Sequence, residues 1–516
     1  MIPYRPEPLT DFRSADAAAA FDTALAAVER QLGVETPLVI GGRRIMTERR
    51  LRSINPSARD ETVGLSAQAD AALAEQALLA ANRAYADWSR RTPQFRADLL
   101  LKAAALLRRR KHEFSAWLLL EAGKSRGEAD ADTAEAIDFL EYYARQALQL
   151  ELRAAAELVA LPGENNRLSY LPLGVGVIIA PWNFPLAILV GMSMAAVVAG
   201  NTVVVKPASA TPIIAAKWQE LLEEAGLPDG VVQLLPGSGS EIGDYLVTHP
   251  LTRFVSFTGS RDVGVHIAGL AAQLTPGQKW LKRYVAEMGG KDGIVVNADA
   301  DLELAAAGIV ASAFGYSGQK CSACSRAIVH EAVYDELLER CTALTAKLTV
   351  GDVRDPHVYT GPVIDESSQR KIAGYLALAP QEGRVVAGGQ LLEGTGFFVQ
   401  PTLVADVAPD ARLMQEEIFG PVLAFAKARD WTEALRIAND TDYGLTGSVY
   451  TRSRAAVEAA IREFHVGNLY INRKCTGAVV GAHPFGGFNM SGTDSKAGGP
   501  DYLQLFTQLK LVSELL

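Results

Sequence analysis

From Asp70 to Leu150 apolar side chains return at every third or fourth position, the spacing that gives a helix one buried stripe, and long helices are predicted there. Within this region Arg108-Arg109-Arg110-Lys111 reads as the solvated face of a helix. The pattern changes at Leu158. Leu158–Leu161 and Arg167–Leu171 are short extended runs about the turn Pro162-Gly163-Glu164-Asn165-Asn166, which predicts a hairpin. Two strands alone are marginal in water, so this hairpin is expected to pack on something else, such as another subunit.

Beyond it, short apolar runs alternate with helical stretches. Strands are predicted at Val175–Ala180, Thr202–Lys206, Val231–Leu235 and Phe254–Thr258. Helices are predicted after Pro185 and over Pro212–Ala225, Glu241–Thr248 and from Val263. Repeated strand-helix-strand units of this kind build a doubly wound parallel sheet, which takes its ligand at the carboxyl ends of its strands. Leu171–Val205 carries no charge, and hydropathy alone would nominate it as a membrane span. Pro181, Pro185 and Gly200-Asn201 cut it into pieces suited to a strand, a helix and a strand, all buried, so no membrane span is expected. A second α/β unit begins near Asp292, with a helix over Leu302–Phe314, a strand over Ala327–His330 and an extended run over Tyr443–Tyr450. An N-terminal arm with a helix over Ala15–Leu32, a short strand ending at Gly41-Gly42, the turn Asn55-Pro56-Ser57 and a closing strand over Leu505–Val512 complete the reading.

With 516 residues the chain is long enough for two or three domains. A net charge of -9 gives no general attraction for nucleic acid or an anionic membrane, which leaves a small molecule as the expected partner. Four cysteines, Cys321, Cys324, Cys341 and Cys475, are too few and too unevenly placed for a disulfide framework. The N-terminus lacks the basic-then-apolar pattern of a secretory signal, and reducing cytoplasm is the expected location.

Chemistry concentrates at a few stretches. In Gly318-Gln319-Lys320-Cys321-Ser322-Ala323-Cys324-Ser325, a thiol set among small residues and preceded by a lysine is a candidate nucleophile. The alternatives are an inert buried cysteine and a Cys-x-x-Cys redox or metal pair. A metal site lacks a second ligand pair at the right spacing, and none is expected. Asn183, in Pro181-Trp182-Asn183-Phe184-Pro185, offers an amide donor in an apolar stretch and suits a developing oxyanion. Glu287 stands beside Gly289-Gly290, where partial desolvation would make it a usable base. Gly237-Ser238-Gly239-Ser240-Glu241-Ile242-Gly243 and Phe257-Thr258-Gly259-Ser260 are candidate phosphate-binding turns, and Lys206 closes a strand facing the same crevice.

Taken in order, Pro181–Pro185, Lys206-Pro207-Ala208, Phe257–Ser260, Glu287–Lys291, Gly318–Cys321, Glu416-Glu417-Ile418-Phe419-Gly420-Pro421 and Pro484-Phe485-Gly486-Gly487 resemble the motif series of the aldehyde dehydrogenase superfamily, over about residues 35–512. Gln319–Arg326, Phe464–Tyr470 and Thr476–Gly481 resemble, within it, the L-glutamate γ-semialdehyde dehydrogenases, also called 1-pyrroline-5-carboxylate dehydrogenases, which complete proline breakdown to glutamate.

The resemblance implies an α/β fold of the aldehyde dehydrogenase kind. A Rossmann-type NAD-binding domain would take residues 1–157 and 173–290, an α/β catalytic domain 291–480, and a β oligomerisation flap 158–172 and 495–516. It implies Cys321 as nucleophile, Glu287 as the base that activates hydrolytic water, and Asn183 with the Cys321 backbone N–H as oxyanion donors. For the cofactor it implies Trp182, Lys206, Ser209, Gly259, Ser260, Glu417 and Phe419. For the substrate it implies Ser322, Gly477 and Ala478 at a carboxylate, Lys320 adding positive potential, and Phe184 and Phe485 along the aliphatic part. NAD is the implied cofactor, and Ser209, where NAD-preferring relatives often carry Glu, leaves NADP open. The implied partners are copies of the same chain, as a dimer or a dimer-based hexamer, and proline dehydrogenase. A relative that passes its thioester to coenzyme A would not need Glu287. A catalytically silent scaffold would need none of Cys321, Asn183, Glu287 and Lys206. Oxidation is expected to link Cys321 to Cys324.

Overall fold

The structure is a computed structural model, and it describes residues 3–156 and 158–516; the predicted boundary at residue 157 lies outside the described residues. Short polar side chains set the helix starts. Ser14, Asp70, Thr92 and Asp301 each accept a hydrogen bond from a backbone N–H in the first turn of the helices Ala15–Glu29, Ala71–Trp88, Pro93–Arg109 and Leu302–Phe314.

Two seven-stranded sheets carry the molecule. The first runs Arg283–Glu287, Thr252–Thr258, Val175–Ile179, Thr202–Lys206 and Val232–Leu234 in parallel, then adds Leu38–Ile40 and Arg43–Ile45 antiparallel at one edge. The predicted alternation of strand and helix holds here, and the charge-free stretch folds as a strand, the helix Ala187–Val198 and a strand, nearly all buried. Register lines up the carboxyl ends: Ile179 lies opposite Lys206 and Phe257, and Thr258 lies opposite Glu287. Lys206, Glu287 and the loops that carry Asn183 and Gly259-Ser260 therefore emerge along one edge. No described helix is long and apolar enough to cross a membrane.

The second sheet orders Arg384–Ala387, Thr402–Ala405, Val422–Ala428, Cys324–His330, Asp292–Val296, Thr446–Tyr450 and Asn468–Ile471, with only the first strand antiparallel.

Three readings change. Leu158–Leu161 forms no strand, so the predicted hairpin does not exist; Glu164–Pro172 instead pairs antiparallel with Thr507–Leu515, from Pro172 opposite Thr507 to Glu164 opposite Leu515. A nine-residue ladder satisfies more backbone groups than a four-residue one next to a proline. Lys111 is buried 3.0 Å from Asp130 rather than solvated, because the helix breaks at Arg110 and the next one, Lys111–Ala122, turns this side chain toward the N-terminal arm, where it donates to the Pro8 carbonyl. A three-stranded sheet of Val34–Thr36, Ala58–Ala67 and Arg50–Asn55 was not predicted, since its strands mix charged residues with apolar ones.

Candidate active site

After the helix Leu302–Phe314 the chain makes a tight reversal in which Tyr316 and Ser317 (both φ 53°) and Gly318 (φ 68°) all occupy the left-handed region. A Cβ on Gly318 would overlap the Gly420 carbonyl oxygen, which is why glycine is required there. The reversal is pinned from one side. The Ser317 N–H donates to Thr360 Oγ1 at 2.7 Å and its hydroxyl to the Gly361 carbonyl at 2.6 Å. The Gln319 side chain accepts from the Ile364 N–H at 2.8 Å and donates to the Pro362 carbonyl at 3.1 Å. This clamp delivers Cys321 just ahead of the strand Cys324–His330. Of the four cysteines, Cys321 is the partly exposed one, and the other three are buried. Burial, together with the negative field of Asp292, Glu287 and Glu417, pushes the Cys321 thiol well above its ordinary value. This setting favours the neutral thiol, and its proton must leave before the sulfur can attack. Cys324 is buried in the core beside Cys475, with its sulfur 3.5 Å from the Arg326 carbonyl.

Asn183 is buried, and its Nδ2 donates to the Gln319 carbonyl at 3.1 Å, which ties the first sheet's loop to the cysteine loop. An amide nitrogen has two hydrogens, so one donor remains for another acceptor. Glu287 ends its strand with one carboxylate oxygen, Oε1, accepting from the Ser495 hydroxyl at 2.6 Å. The other oxygen, Oε2, is buried without a hydrogen-bond partner among the described residues. Burial raises the Glu287 pKa to about 8, and the Ser495 hydroxyl, the Gly487 backbone N–H and the Lys496 charge offset this only in part. A carboxyl so tuned can exchange a proton near neutral pH.

Trp182, Lys206, Ser209, Gly259 and Ser260 follow strands of the first sheet at their carboxyl ends, while Glu417 and Phe419 face them from the loop before Val422–Ala428 of the second sheet. Lys206 is buried, its pKa lowered to about 8 by desolvation, and its ammonium reaches only the neighbouring Pro207 carbonyl, at 3.4 Å, among the described residues. Such an orphaned cation fits a ribose diol or phosphate. Ser260 caps the helix Arg261–Ala271 without spending its side chain on the cap, and the Gly259 N–H donates to the Glu287 carbonyl at 3.1 Å. Ser209 is exposed, with its hydroxyl 3.5 Å from the Gly237 carbonyl. Glu417 accepts from the Gly290 N–H at 3.1 Å, and Phe419, at φ 58°, meets Trp182 edge to face at 5.4 Å between ring centroids. Gly289 packs so closely on the Glu417 carboxylate that any side chain there would displace it.

A cavity of about 940 Å³ gathers Phe184, Glu287, Lys320, Cys321, Ser322, Gly477, Ala478 and Phe485. Asn183 and the cofactor candidates do not line it. Asn183 joins through its bond to the cysteine loop, and the others lie at the neighbouring strand ends of the first sheet or, for Glu417 and Phe419, on the loop before Val422–Ala428. One expectation is altered: Lys320 does not present a free charge, because its ammonium sits 2.6 Å from Glu128. The helix Arg126–Ala156 brings Glu128 and Glu135 to the cavity wall and Asp132 beneath it, none of which the motif reading selected. Their spacing of four and three residues in an alanine-rich helix was a visible signal, since it puts three carboxylates on one face. Burial works against the charge on Glu128, but Lys320 and Lys124 outweigh it and hold its pKa below the ordinary value. Burial lifts Glu135 to about 8. Lys124 is fully buried, 3.2 Å from Asp132 and 3.8 Å above the Phe184 ring.

The chain belongs to the aldehyde dehydrogenase family, whose model matches residues 45–512. It is 62% identical over 513 residues to a 1-pyrroline-5-carboxylate dehydrogenase of Geobacillus kaustophilus, covering 99% of both chains. A crystal structure of 1-pyrroline-5-carboxylate dehydrogenase from Thermus with bound NAD superposes with a TM-score of 0.98 at 50% identity, covering 100% of both chains. Proline utilization A from Bdellovibrio bacteriovorus superposes with a TM-score of 0.98 at 43% identity, where this chain is 99% covered and accounts for 53% of the longer one.

Proposed function

We propose that this chain oxidises L-glutamate γ-semialdehyde, which equilibrates with 1-pyrroline-5-carboxylate, to L-glutamate with NAD. One observation carries the reading: a single cavity holds Cys321 and Glu287 together with Ser322, Gly477-Ala478, Phe184 and Phe485. A substrate with a carboxylate beyond a short aliphatic chain needs a nucleophile at one end, anion donors at the other and apolar walls between.

Cys321 gives its thiol proton to solvent and, as the thiolate, adds to the aldehyde carbon, the carbonyl π electrons moving to oxygen as the carbon–sulfur bond forms. The resulting oxyanion accepts from the free Asn183 N–H and from the Cys321 backbone N–H. NAD, when bound, supplies the two-electron oxidant that takes the hydride from that carbon. Lys206, Ser260 and Glu417, with the edge-to-face pair Trp182 and Phe419, are the residues assigned to hold it. The thioester left on Cys321 is hydrolysed by a water whose proton passes to Glu287. Hydroxide adds to the acyl carbon, the carbon–sulfur bond breaks, glutamate leaves, and the proton on Glu287 returns to the sulfur or to solvent. Transfer to coenzyme A would leave Glu287 without a task, and its placement by Ser495 favours water.

Ser209 puts no carboxylate where a 2'-phosphate would be repelled, so NAD preference rests on the remaining contacts and on the NAD-bound Thermus relative. Self-association through the strand pair Glu164–Pro172 and Thr507–Leu515 is supported by its exposed Leu509, Leu511 and Leu515. Supply of substrate by a proline dehydrogenase is supported by the likeness to part of a proline utilization A chain. Four free thiols suit a reducing cytoplasm.

The test is NADH formation with glutamate γ-semialdehyde against a panel of unsubstituted aldehydes, with Cys321→Ala as control. Preference for a simple aliphatic aldehyde overturns the assignment, and activity in Cys321→Ala removes the nucleophile.

A further inference from the structure

Ser495 gives Glu287 its one side-chain hydrogen bond among the described residues, and the Gly487 backbone N–H also favours the charged carboxylate. Ser495 Oγ donates to Oε1 at 2.6 Å, while Oε2 is buried with no partner among the described residues. Ser495 is itself buried, and its position is fixed by its neighbours. A Cβ on Gly486 would overlap the Ser495 carbonyl oxygen and come within 2.8 Å of Glu287 Oε1, so this segment, Ser495 and the carboxylate are in mutual contact. Lys496 braces the same place. Its ammonium donates to the Gly467 and Gly486 carbonyls at 2.7 and 2.6 Å and reaches Asn468 Oδ1 at 3.3 Å, which pins the 486 segment against residues 467–468. The Ala497 backbone adds a pair of 2.8 Å hydrogen bonds with Phe485. The Thr493 hydroxyl also accepts from the Ala286 N–H at 3.0 Å, so the chain is fastened both before and after Ser495.

We infer that Ser495 is a positioning residue for the hydrolytic half of the reaction, with Lys496 fixing the backbone from which it acts. An isolated buried carboxyl can rotate among several positions; a hydroxyl bonded to Oε1 selects one and leaves Oε2 as the free acceptor for a water proton. The same bond stabilises the charged form of Glu287, which is the form able to take that proton. Hydride removal needs neither effect. The inference rests on the proposed thioester mechanism, since Glu287 has its task only there.

The two half-reactions can be read separately. In Ser495→Ala, rapid mixing of enzyme, NAD and glutamate γ-semialdehyde is expected to give a burst of NADH close to one per site at an almost unchanged rate. Steady-state turnover then falls about tenfold, the loss expected when a hydrogen bond to an ionised group is removed. The acid limb of kcat moves to higher pH, because the charged form of Glu287 has lost a donor. Ser495→Thr, which keeps the hydroxyl, restores most of the turnover and returns the limb toward its wild-type position. A structural role alone would reduce burst and turnover together and leave the pH limb in place. Equal loss of burst and turnover, an unmoved pH limb, or Ser495→Thr behaving like Ser495→Ala overturns the inference. Wild-type enzyme that makes no NADH from the semialdehyde overturns the functional reading instead.

Discussion

Lys124 stands 3.8 Å above the ring of Phe184 and 3.2 Å from Asp132, so a fully buried ammonium supports one aromatic wall of the cavity. Asp132 in turn accepts from the Ala187 N–H at 2.7 Å, at the start of the buried helix that follows the Asn183 loop. Removing one member of a buried pair leaves the other charge uncompensated, at a cost of about 3–5 kcal/mol. Lys124→Met is therefore expected to lower the unfolding midpoint clearly and to raise KM for the aldehyde more than KM for NAD. Thermal denaturation followed by steady-state kinetics checks both. A midpoint within a degree of wild type would show that the pair does not support this wall.

Asn183 is assigned to the oxyanion, a charge that forms before hydride leaves. Asn183→Ala is expected to slow the burst phase by about a hundredfold or more, the range for losing one such donor. Stopped-flow NADH absorbance measures it, and an unchanged burst rate with slower steady state would move Asn183 to the second half-reaction.

For Glu287 the sign of the pH dependence follows from burial. With its pKa raised to about 8, the carboxyl is mostly protonated at neutral pH, and the fraction able to accept a proton falls about tenfold for each unit below that value. Turnover should climb from pH 6 to about 8 while the burst amplitude stays level. Glu287→Gln should abolish that climb, lower turnover by about a hundredfold or more and leave the burst. A steady-state profile of both enzymes decides.

Lys206 carries its charge below about pH 8, the value to which desolvation lowers it. KM for NAD is expected to rise above that pH as the ammonium is lost. Lys206→Met should raise KM for NAD about tenfold or more at pH 7 and flatten its pH dependence, with little change in KM for the aldehyde. Isothermal titration of NAD onto the wild type and the variant gives an independent reading; equal affinities would remove Lys206 from the cofactor site.

Much of this arrangement was legible from local pattern. Strands buried on both faces announced the first sheet, and glycine or proline beside Asn183, Glu287 and Cys321 marked turns where those side chains could be presented. What escaped were relations between distant residues. The partner of Glu164–Pro172 lies at the far end of the chain, and a nearby apolar run offered a false local alternative. The pairing of Lys320 with Glu128 joins positions 192 residues apart, which no sequence window contains. Glu128, Asp132 and Glu135 sit on a helix whose alanines drew attention to packing, although their common face was there to be counted. Ser495 gave no signal, because its importance lies in one contact made only when Glu287 is already in place.

The strand ladder between Glu164–Pro172 and Thr507–Leu515 also bears on how the protein is made. Asn165 must wait for Glu514, 349 residues later, before its strand has a partner. Until then, during synthesis on the ribosome, an edge strand with open hydrogen-bonding groups protrudes from a body whose first sheet can already be complete. The Arg283 guanidinium, which donates to the Gln504, Leu505 and Thr507 carbonyls, gives the arriving strand its anchor on the same β-strand that ends in Glu287. Closure of that ladder thus comes late in synthesis, and the interval before it is when a nascent chain of this kind is open to mispairing with its neighbours.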